Sequence, residues 1–228
     1  MAITLAFDVY GTLINTQGVV SALEKLVGNK ASDFARIWRE KQLEYSFRRG
    51  LMQNYENFSV CIRNALDYTI TYLKVELSNE NRNALIHLYN RLPAFDDVEA
   101  GLTEVKKAGF RIFAFSNGSA EIVESLLITA GIRDYFLGII SVDELKSFKP
   151  NPAVYSHFLR KAEAIGSETW LISSNPFDVI GAVSFGMRAV WVKRTLEAIF
   201  DPWGIEPTLT SNGLLNLSEH IKLKCRRE

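Results

Sequence analysis

Residues 3–12 read ITLAFDVYGT, and this stretch decides the fold. The apolar run of residues 3–7 predicts a short buried strand that ends at Asp8 and leads into a turn with Tyr10 and Gly11. A carboxylate at the carboxyl end of a buried strand stands where open α/β sheets place their chemistry. An aspartate followed shortly by glycine is also an ordinary strand-ending turn, and on this stretch alone that second interpretation is favoured.

Four further short segments have the composition of buried strands, and helix-like segments separate them. Strands that alternate with amphipathic helices indicate βαβ units, in which helices cover both faces of a parallel sheet. The predicted fold class is therefore α/β, with a Rossmann-like, mainly parallel sheet flanked by helices. The later strands are predicted at residues 111–115, 138–142, 169–173 and 189–193, and the helices at residues 120–130, 152–164 and 177–185.

The interval between the first two predicted strands is the unusual part of the chain. It holds roughly a hundred residues, far more than a simple crossover needs. Its helical patterns cover residues 19–27, 31–49, 55–75 and 79–92. The economical interpretation is a helical cap of residues 16–94, inserted into a core domain of residues 1–15 and 95–228. Because the insertion begins just after the Asp8 turn, it would lie over the end of the first strand and exclude water there.

The charge balance of the chain excludes several kinds of partner. Its 26 basic and 26 acidic residues cancel, which argues against nucleic acid or a membrane surface, and the locally basic residues 222–227 are interpreted as a solvated tail. Cys61 and Cys225 have no metal-like spacing and indicate neither a disulfide scaffold nor a zinc site. The start of the chain lacks a signal-like segment, and no uncharged apolar run reaches membrane-spanning length. We therefore expect a soluble, cytoplasmic protein.

Polar groups follow the second predicted strand where a helix begins. Ser116 and Asn117 stand in a turn that presents backbone N–H groups and the positive end of a helix dipole, which suits a carboxylate or a phosphate. The alternative is a plain helix cap, with Ser119 as the capping residue. Both interpretations can hold at once.

The later strand ends carry a lysine and an amide–carboxylate pair. Lys149, before a proline, marks a turn unless its ammonium reaches Asp8, where it would hold that group ionised. Asn175 and Asp178 straddle the end of the fourth predicted strand and the start of a helix. The alternative is again a cap, with Asn175 capping and Pro176 at the first helical position.

One helix of the predicted insertion carries a cation in line with apolar residues. Arg39, Leu43 and Phe47 share a face through i, i+4 spacing. An arginine that continues an apolar stripe commonly extends its head to solvent, and the alternative is a fixed positive charge in a closed pocket. The neighbouring face, which we expect to be solvated, carries Glu40, Glu44 and Arg48.

Taken together, these motifs resemble the four-part signature of the haloacid dehalogenase superfamily. An aspartate follows strand one, a hydroxyl follows strand two, a lysine precedes the next helix and an acidic turn follows strand four. The order and the helical insertion match, so the resemblance covers nearly the whole chain. The narrower resemblance is to the L-2-haloacid dehalogenase family, carried by the stretches DVYGT (8–12), REKQLEY (39–45), SNG (116–118), KP (149–150) with Tyr155, and SSN (173–175) with Phe177 and Asp178.

Most members of the superfamily are magnesium-dependent phosphatases, and two positions here depart from their pattern. Phosphatases carry a second aspartate two places after the nucleophile to protonate the departing alkoxide, and Tyr10 stands there instead. Their fourth motif begins with a further acid for magnesium, where this chain has Asn175. Halide leaves carbon without protonation, so a dehalogenase needs no general acid at the position of Tyr10. No cofactor is expected, with Mg²⁺ only under the phosphatase alternative.

The resemblance implies a mechanism in which Asp8 attacks C2 of a short L-2-haloacid, forms an ester, and water then releases a D-2-hydroxy acid. It implies no nucleic-acid or membrane partner, only haloacid, halide and a second copy of the chain in a homodimer formed through the insertion. Glu40, where we would expect glutamine, could alter substrate preference. The alternatives left open are a phosphatase, a different physiological substrate and a non-catalytic binding role. The catalytic residues implied are Asp8, Thr12, Arg39, Ser116, Lys149, Tyr155, Ser173, Asn175 and Asp178; those for substrate binding are Val9, Tyr10, Arg39, Leu43, Phe58, Ser116, Asn117 and Phe177.

Overall fold

A six-stranded sheet, parallel throughout, forms the centre of the computed structural model, which describes residues 3–226. The strands lie in the order β3-β2-β1-β4-β5-β6, so the first strand is central. This confirms the predicted α/β fold class, and the five predicted strands match within one residue at each end. The strands are β1 (Thr4–Asp8), β2 (Arg111–Ser116), β3 (Gly138–Ser141), β4 (Thr169–Ser173), β5 (Arg188–Val192) and β6 (Leu209–Ser211).

The register of the central strands explains why the polar strand ends meet. All five residues of β1 are buried, as expected of a strand covered on both faces. Asp8 pairs with Phe115 of β2, and Phe7 pairs with Ile172 of β4. The residues after these partners, on either side of Asp8, therefore lie at the same edge of the sheet. The order of the strands also reverses direction at β1, which is where open α/β sheets bind ligands.

Four helices lie between β1 and the rest of the core and form the helical insertion. Asn57 and Ser78 begin two of them, because their side chains accept from the N–H groups of Val60 and Asn81. These caps start the third helix three residues later than the sequence pattern predicts. The insertion consists of α1 (Val20–Val27), α2 (Ala31–Leu51), α3 (Phe58–Tyr72) and α4 (Asn79–Tyr89).

The insertion leaves and rejoins the core at one narrow neck. Ile14 and Ala94 form an isolated antiparallel bridge. Beside it the N–H of Asn15 donates to the carbonyl of Pro93 at 2.9 Å, and the N–H of Phe95 donates to the carbonyl of Leu13 at 3.0 Å. The two chain crossings are thus hydrogen-bonded side by side, so the ends of the insertion are held at one place.

Aromatic packing joins the insertion to the end of β1. The ring of Tyr10 stacks on Tyr89 of α4, with centroids 5.9 Å apart, and Tyr89 in turn lies 5.0 Å from Trp38 of α2. All three side chains are buried in one apolar cluster that includes residues of both the sheet and the insertion. The insertion is therefore packed on the end of the strand that carries Asp8.

Five further helices cover the sheet, and three elements correct the sequence analysis. The strand β6 and the helices at residues 98–107 and 217–225 were not predicted. The last of these replaces the expected solvated tail, because Ile221 is fully buried and Lys222 lies over the ring of Phe110; residue 227 lies outside the described residues. The helices are α5 (Val98–Lys107), α6 (Ala120–Thr129), α7 (Pro152–Lys161), α8 (Pro176–Ser184) and α9 (Leu217–Cys225).

Candidate active site

The carboxylate of Asp8 is held by donors from two strand ends. Its side chain is nearly buried, at 7% residue exposure. Oδ2 accepts from the hydroxyl of Thr12 at 2.7 Å, from Nδ2 of Asn175 at 2.8 Å and from the hydroxyl of Ser173 at 3.3 Å. Oδ1 accepts from the ammonium of Lys149 at 3.2 Å. Four donors therefore converge on this carboxylate and fix its orientation.

Lys149 is fully enclosed and shares its ammonium among three acceptors. Its side chain is 1% exposed. Besides Asp8, Nζ donates to Oδ2 of Asp178 at 2.8 Å and to the carbonyl of Phe115 at 2.8 Å. Each of the three N–H groups of an ammonium therefore has an acceptor. Lys149 does stand in a turn, and its ammonium also reaches Asp8, the condition set by the sequence analysis for a functional lysine.

The charged side chains around Lys149 shift one another's pKa values. Burial alone would lower the pKa of Lys149, but the carboxylates of Asp178 and Asp8 outweigh it and the pKa lies above its usual value. Burial raises the pKa of Asp178 above its usual value. The ammonium of Lys149 opposes this rise, but Asp178 shares that ammonium with Asp8, whose charge also raises the pKa. The site thus favours the charged form of Lys149 and disfavours the charged form of Asp178.

Tyr155 completes the surroundings of Asp178. Its hydroxyl donates to Oδ1 of Asp178 at 2.9 Å and lies 3.1 Å from the carbonyl oxygen of the same residue. Both side chains are fully buried. Burial, with the carboxylate of Asp178 next to it, raises the pKa of Tyr155 well above its usual value, so its hydroxyl keeps its proton. Tyr155 therefore acts on Asp178 as a neutral donor.

Arg39 reaches the site from the insertion. Its Nη2 donates to the carbonyl of Tyr10 at 3.2 Å, and its Nη1 donates to Oε1 of Gln42, three residues further along α2, at 3.3 Å. The hydroxyl of Tyr89 donates to the same Oε1 at 2.8 Å. The guanidinium is therefore fixed in orientation and is not extended to solvent, which settles the alternative left open by the sequence.

Gln42 was missed by the sequence analysis. It is fully buried, and its Nε2 has no hydrogen-bond partner among residues 3–226. Arg39 and Tyr89 both present hydrogen to it, so the oxygen of the amide must face them. The only sequence signal is its i, i+3 spacing from Arg39 on the helix. That signal does not distinguish Gln42 from other polar residues of α2.

Tyr10 forms an apolar wall where a phosphatase would carry an acid. Its ring lies 5.7 Å from that of Phe58, in addition to its stacking on Tyr89. Burial raises the pKa of Tyr10 above its usual value, with Tyr89 contributing in the same direction. A phenol that holds its proton more tightly than usual is a poor general acid near neutral pH.

The turn after β2 faces the same space. The hydroxyl of Ser116 accepts from the N–H of Gly118 at 3.1 Å, and Oδ1 of Asn117 accepts from the N–H of Lys149 at 2.9 Å. Because a backbone N–H requires an acceptor, the amide orientation of Asn117 is fixed and its NH2 group is the end left for a ligand. The helix α6 begins after Ser119, whose side chain makes no capping hydrogen bond, so the cap alternative holds only for the backbone.

A narrow cavity of about 10 Å³ lies between the strand ends and the insertion. Ten predicted site residues line it, and four more contact Asp8, Lys149 or Asp178 from behind. Val9 lies apart, with its side chain in the apolar core and its carbonyl accepting from the N–H groups of the turn. The lining residues are Asp8, Tyr10, Arg39, Leu43, Phe58, Ser116, Asn117, Lys149, Asn175 and Phe177, and those behind are Thr12, Tyr155, Ser173 and Asp178.

Two further residues bear on the sequence expectations. Glu40 does not face the cavity: its carboxylate is 60% exposed and accepts from Arg36 at 3.1 Å. The exposed position confirms the expected solvated face, and an influence of Glu40 on substrate preference stays a prediction. Asn175 precedes Pro176 at the start of α8 but makes no side-chain cap, because its amide donates to Asp8. Ser174, which was also missed, donates to the carbonyl of Gly11 at 2.7 Å and so fixes the turn.

The groups around Asp8 do not fit a divalent cation. Mg²⁺ requires oxygen ligands, whereas Lys149 and Asn175 both present hydrogen to the Asp8 carboxylate. Nowhere in residues 3–226 do three or more histidine, cysteine, aspartate or glutamate side chains gather to hold a metal ion.

Within that same range, none of the helices has the length and apolar character needed to cross a bilayer.

Comparison with known proteins places this geometry among hydrolases. A family model described as haloacid dehalogenase-like hydrolase matches residues 4–186. The chain is 38% identical over 207 residues to "Haloacetate dehalogenase H-2" of Moraxella sp. (strain B), covering 90% of this chain and 92% of that one. It is 34% identical over 203 residues to "(S)-2-haloacid dehalogenase" of Pseudomonas sp. (strain YL), covering 89% and 87%.

Solved structures are similar over almost the whole chain. The L-2-haloacid dehalogenase of Xanthobacter autotrophicus superposes with a TM-score of 0.91 at 30% identity, covering 97% of this chain and 99% of that one. The same enzyme with chloropropionic acid covalently bound gives a TM-score of 0.90, also at 30% identity and with the same coverage. The similarity therefore includes a structure with a covalently bound haloacid.

Proposed function

This chain belongs to the haloacid dehalogenase-like hydrolase family, and on that premise we propose that it hydrolyses the carbon–halogen bond of short L-2-haloacids through an ester on Asp8. The product would be a D-2-hydroxy acid and a halide ion, and no cofactor would be required. The observation that carries the proposal is the pairing of the Asp8 carboxylate, held by four donors, with Tyr10 in the position of a phosphatase acid.

The two oxygens of Asp8 suit the two halves of the reaction. Among residues 3–226, Oδ1 accepts from Lys149 alone, so it retains lone pairs to attack C2 of the substrate. A bond forms between Oδ1 and C2 while the carbon–halogen bond breaks, and the halide leaves with the electron pair. One in-line displacement inverts C2, so an L substrate gives a D product.

Oδ2 then becomes the carbonyl oxygen of the ester. Its donors, Thr12, Ser173 and Asn175, are already in place, and they would stabilise the negative charge that develops there when water attacks the ester carbon. The attack breaks the bond between the ester carbon and Oδ1, which leaves with the product. Asp178, held by Lys149 and Tyr155, is the carboxylate available to orient or deprotonate that water.

The remaining polar groups would bind the ends of the substrate. The hydroxyl of Ser116 and the backbone N–H groups near Val9, Tyr10 and Asn117 suit its carboxylate. The halide would be received by Arg39, the NH2 group of Asn117 and the edge of Phe177, because a guanidinium and an aromatic edge both favour a soft anion. Leu43 and Phe58 supply the apolar walls of the same narrow cavity.

The division of the chain follows from this assignment. We propose residues 16–94 as the cap and residues 1–15 and 95–228 as the core, because the neck at Ile14 and Ala94 ties the two crossings together. The cap supplies Arg39, and the core supplies the nucleophile. The cap lies over the strand ends and would exclude water during the first step, in which water would compete with the haloacid for the space beside Asp8.

We also propose a homodimer formed through the cap, in a cytoplasmic protein. An aromatic patch on α2 and α3 supports the dimer: Tyr45 and Tyr68 lie 6.4 Å apart, and Tyr68 stacks on Tyr72 at 5.8 Å. Tyr72 is 60% exposed, and an exposed apolar patch commonly marks an interface. Light scattering should give twice the 25.8 kDa mass of the chain, and a single-chain mass would contradict the dimer.

The decisive experiment is hydrolysis by metal-stripped enzyme. L-2-chloropropionate should release chloride and D-lactate at a rate that chelator does not change. A single turnover in ¹⁸O water should put the label in Asp8 and leave it out of the first product, since oxygen from Asp8 leaves with the hydroxy acid. Label appearing first in the product would mean direct attack by water. A strict Mg²⁺ requirement with turnover of phosphate esters would support the phosphatase instead.

A further inference from the structure

An open groove lies directly beside the narrow cavity. It has a volume of about 850 Å³ between α2, α8 and the loop around Pro150, and apolar side chains make up most of its wall. The groove and the cavity share two wall residues, Phe177 and Lys149. Lys149 is fixed by its three acceptors, two of which are carboxylates. Phe177 makes no ion pair, so it is the shared wall residue that can move.

The helix α2 passes from the cavity into the groove along one face. Leu43 lines the cavity, and Phe47, one turn further on, lines the groove. Leu51, another turn on, continues the groove wall. Residues at i, i+4 spacing lie above one another on a helix, so an apolar track leads from the catalytic cavity to the surface.

A pair of rings separates the two spaces. Phe47 meets Phe177 with ring centroids 4.9 Å apart and planes at 74°, an edge-to-face contact. Phe177 lies in the first turn of α8, directly after Pro176, so its backbone is held by the helix. Phe47 is 36% exposed and covers Phe177 on the groove side. The orientation of Phe177 thus depends on a ring that does not itself line the cavity.

We propose that Phe47 determines which haloacids the enzyme accepts, by setting how long an alkyl chain C2 can carry. The inference rests on the proposed function. The cavity beside Asp8 is narrow, so a longer chain has to displace the Phe47–Phe177 pair. Its methylene groups then enter the apolar groove, which takes them out of water. Phe47 is a specificity-determining residue and takes no part in bond making.

The test compares chain lengths in matched variants. Phe47→Ala removes the support of Phe177 and opens the track, so kcat/KM for 2-chlorohexanoate relative to 2-chloropropionate should rise at least about tenfold. Phe47→Trp fills the same place and should lower this ratio. Met52→Ala is the control: it truncates an exposed apolar side chain on the C-terminal side of α2, outside the groove lining, and should leave the ratio at its wild-type value.

The outcomes separate this inference from the proposed function. Chloride release from 2-chloropropionate by all four proteins, with the same chain-length ratio in each, would overturn the role of Phe47 and leave the dehalogenase intact. If Phe47→Ala unfolds, Phe47→Trp alone decides the matter, because an unchanged ratio in that variant contradicts the inference. Absence of chloride from every haloacid with wild-type enzyme would overturn both.

Discussion

Asn175 donates from Nδ2 to Oδ2 of Asp8 at 2.8 Å, so an uncharged donor faces the nucleophile where a metal-dependent phosphatase needs another carboxylate. The same amide lies 3.3 Å from the carbonyl oxygen of Tyr10. It therefore ties the nucleophile to the turn that follows it. One side chain therefore orients the nucleophile and stands where a metal site would need an acidic ligand.

Replacing this amide by an acid should change the response to pH. In Asn175→Asp, two carboxylates would face each other, and the pair would take up a proton that the wild-type site does not hold. We expect kcat/KM for L-2-chloropropionate to fall by about 100-fold at neutral pH, with its acid limb moved to higher pH. Asn175→Ser is the control, since it removes the donor without adding charge. An acid limb equally displaced in both variants would contradict the electrostatic explanation.

Removing the ammonium of Lys149 should destabilise the protein in a pH-dependent way. Lys149→Met leaves Asp178 buried without its cation, which costs about 3–5 kcal/mol when the carboxylate is charged. The pKa of Asp178, already raised by burial, would rise further. Between the unfolded and folded values the native state then binds a proton that the unfolded state lacks, so stability falls as pH increases through that window.

Urea unfolding measures this effect. The free-energy difference between wild type and Lys149→Met should be larger at about pH 8 than at about pH 5. Lys161→Met is the matched control, because Lys161 is 48% exposed and pairs with Glu144 on the surface, where such pairs contribute about 0–1 kcal/mol. A difference for Lys149→Met that does not vary with pH would remove Asp178 from the explanation.

Arg39 should matter most for the poorest leaving group. Its planar head donates to Tyr10 and Gln42 at once, which a single ammonium in Arg39→Lys cannot reproduce. We expect kcat to fall by about 100-fold with L-2-chloropropionate and by less with the bromo acid, because bromide needs less charge stabilisation. Arg36→Lys, at an exposed position of α2 paired with Asp33 and Glu40, should match wild type. Equal losses for both acids would place Arg39 outside halide binding.

Gln42 should act through Arg39. In Gln42→Leu the hydroxyl of Tyr89 and Nη1 of Arg39 both lose their acceptor, which should lower the free energy of unfolding by about 1–3 kcal/mol. Gln42→Glu keeps an acceptor and should restore much of the activity lost in the leucine variant. The chloro-to-bromo ratio of kcat distinguishes positioning from simple destabilisation: it should shift in Gln42→Leu as it does in Arg39→Lys. A wild-type ratio in Gln42→Leu would leave a structural role alone.

Much of the sheet was predictable because its signals are local. The apolar runs of β1 to β5 are bounded by turns, and each strand is buried on both faces, so composition alone identifies them. The strand β6 has only three residues and none of them is buried, so it lacks the apolar run. The basic residues of α9 concealed its two buried positions, Leu217 and Ile221.

The site was predictable where chemistry follows a strand end, and not where it depends on packing. Ser116 and Asn175 stand in such turns, so the strand order brings them to Asp8. Glu40 was predictable as a solvated residue, because successive residues of a helix point about 100° apart and one step from Arg39 turns a side chain from cavity to solvent. Tyr89 was missed because only the tertiary fold brings α4 to Gln42.

Because the neck at Ile14 and Ala94 holds the two ends of the insertion side by side, we expect the insertion to be exchangeable as one cassette. A replacement helical module would need two adjacent ends and an aromatic face that packs on Tyr10, as Tyr89 does here. Under the proposed mechanism, the core supplies the nucleophile, and the cassette supplies the arginine that recognises the leaving group. Grafting a different cassette onto the same core would thus redirect which bond Asp8 attacks, while the machinery that hydrolyses the ester is carried over unchanged.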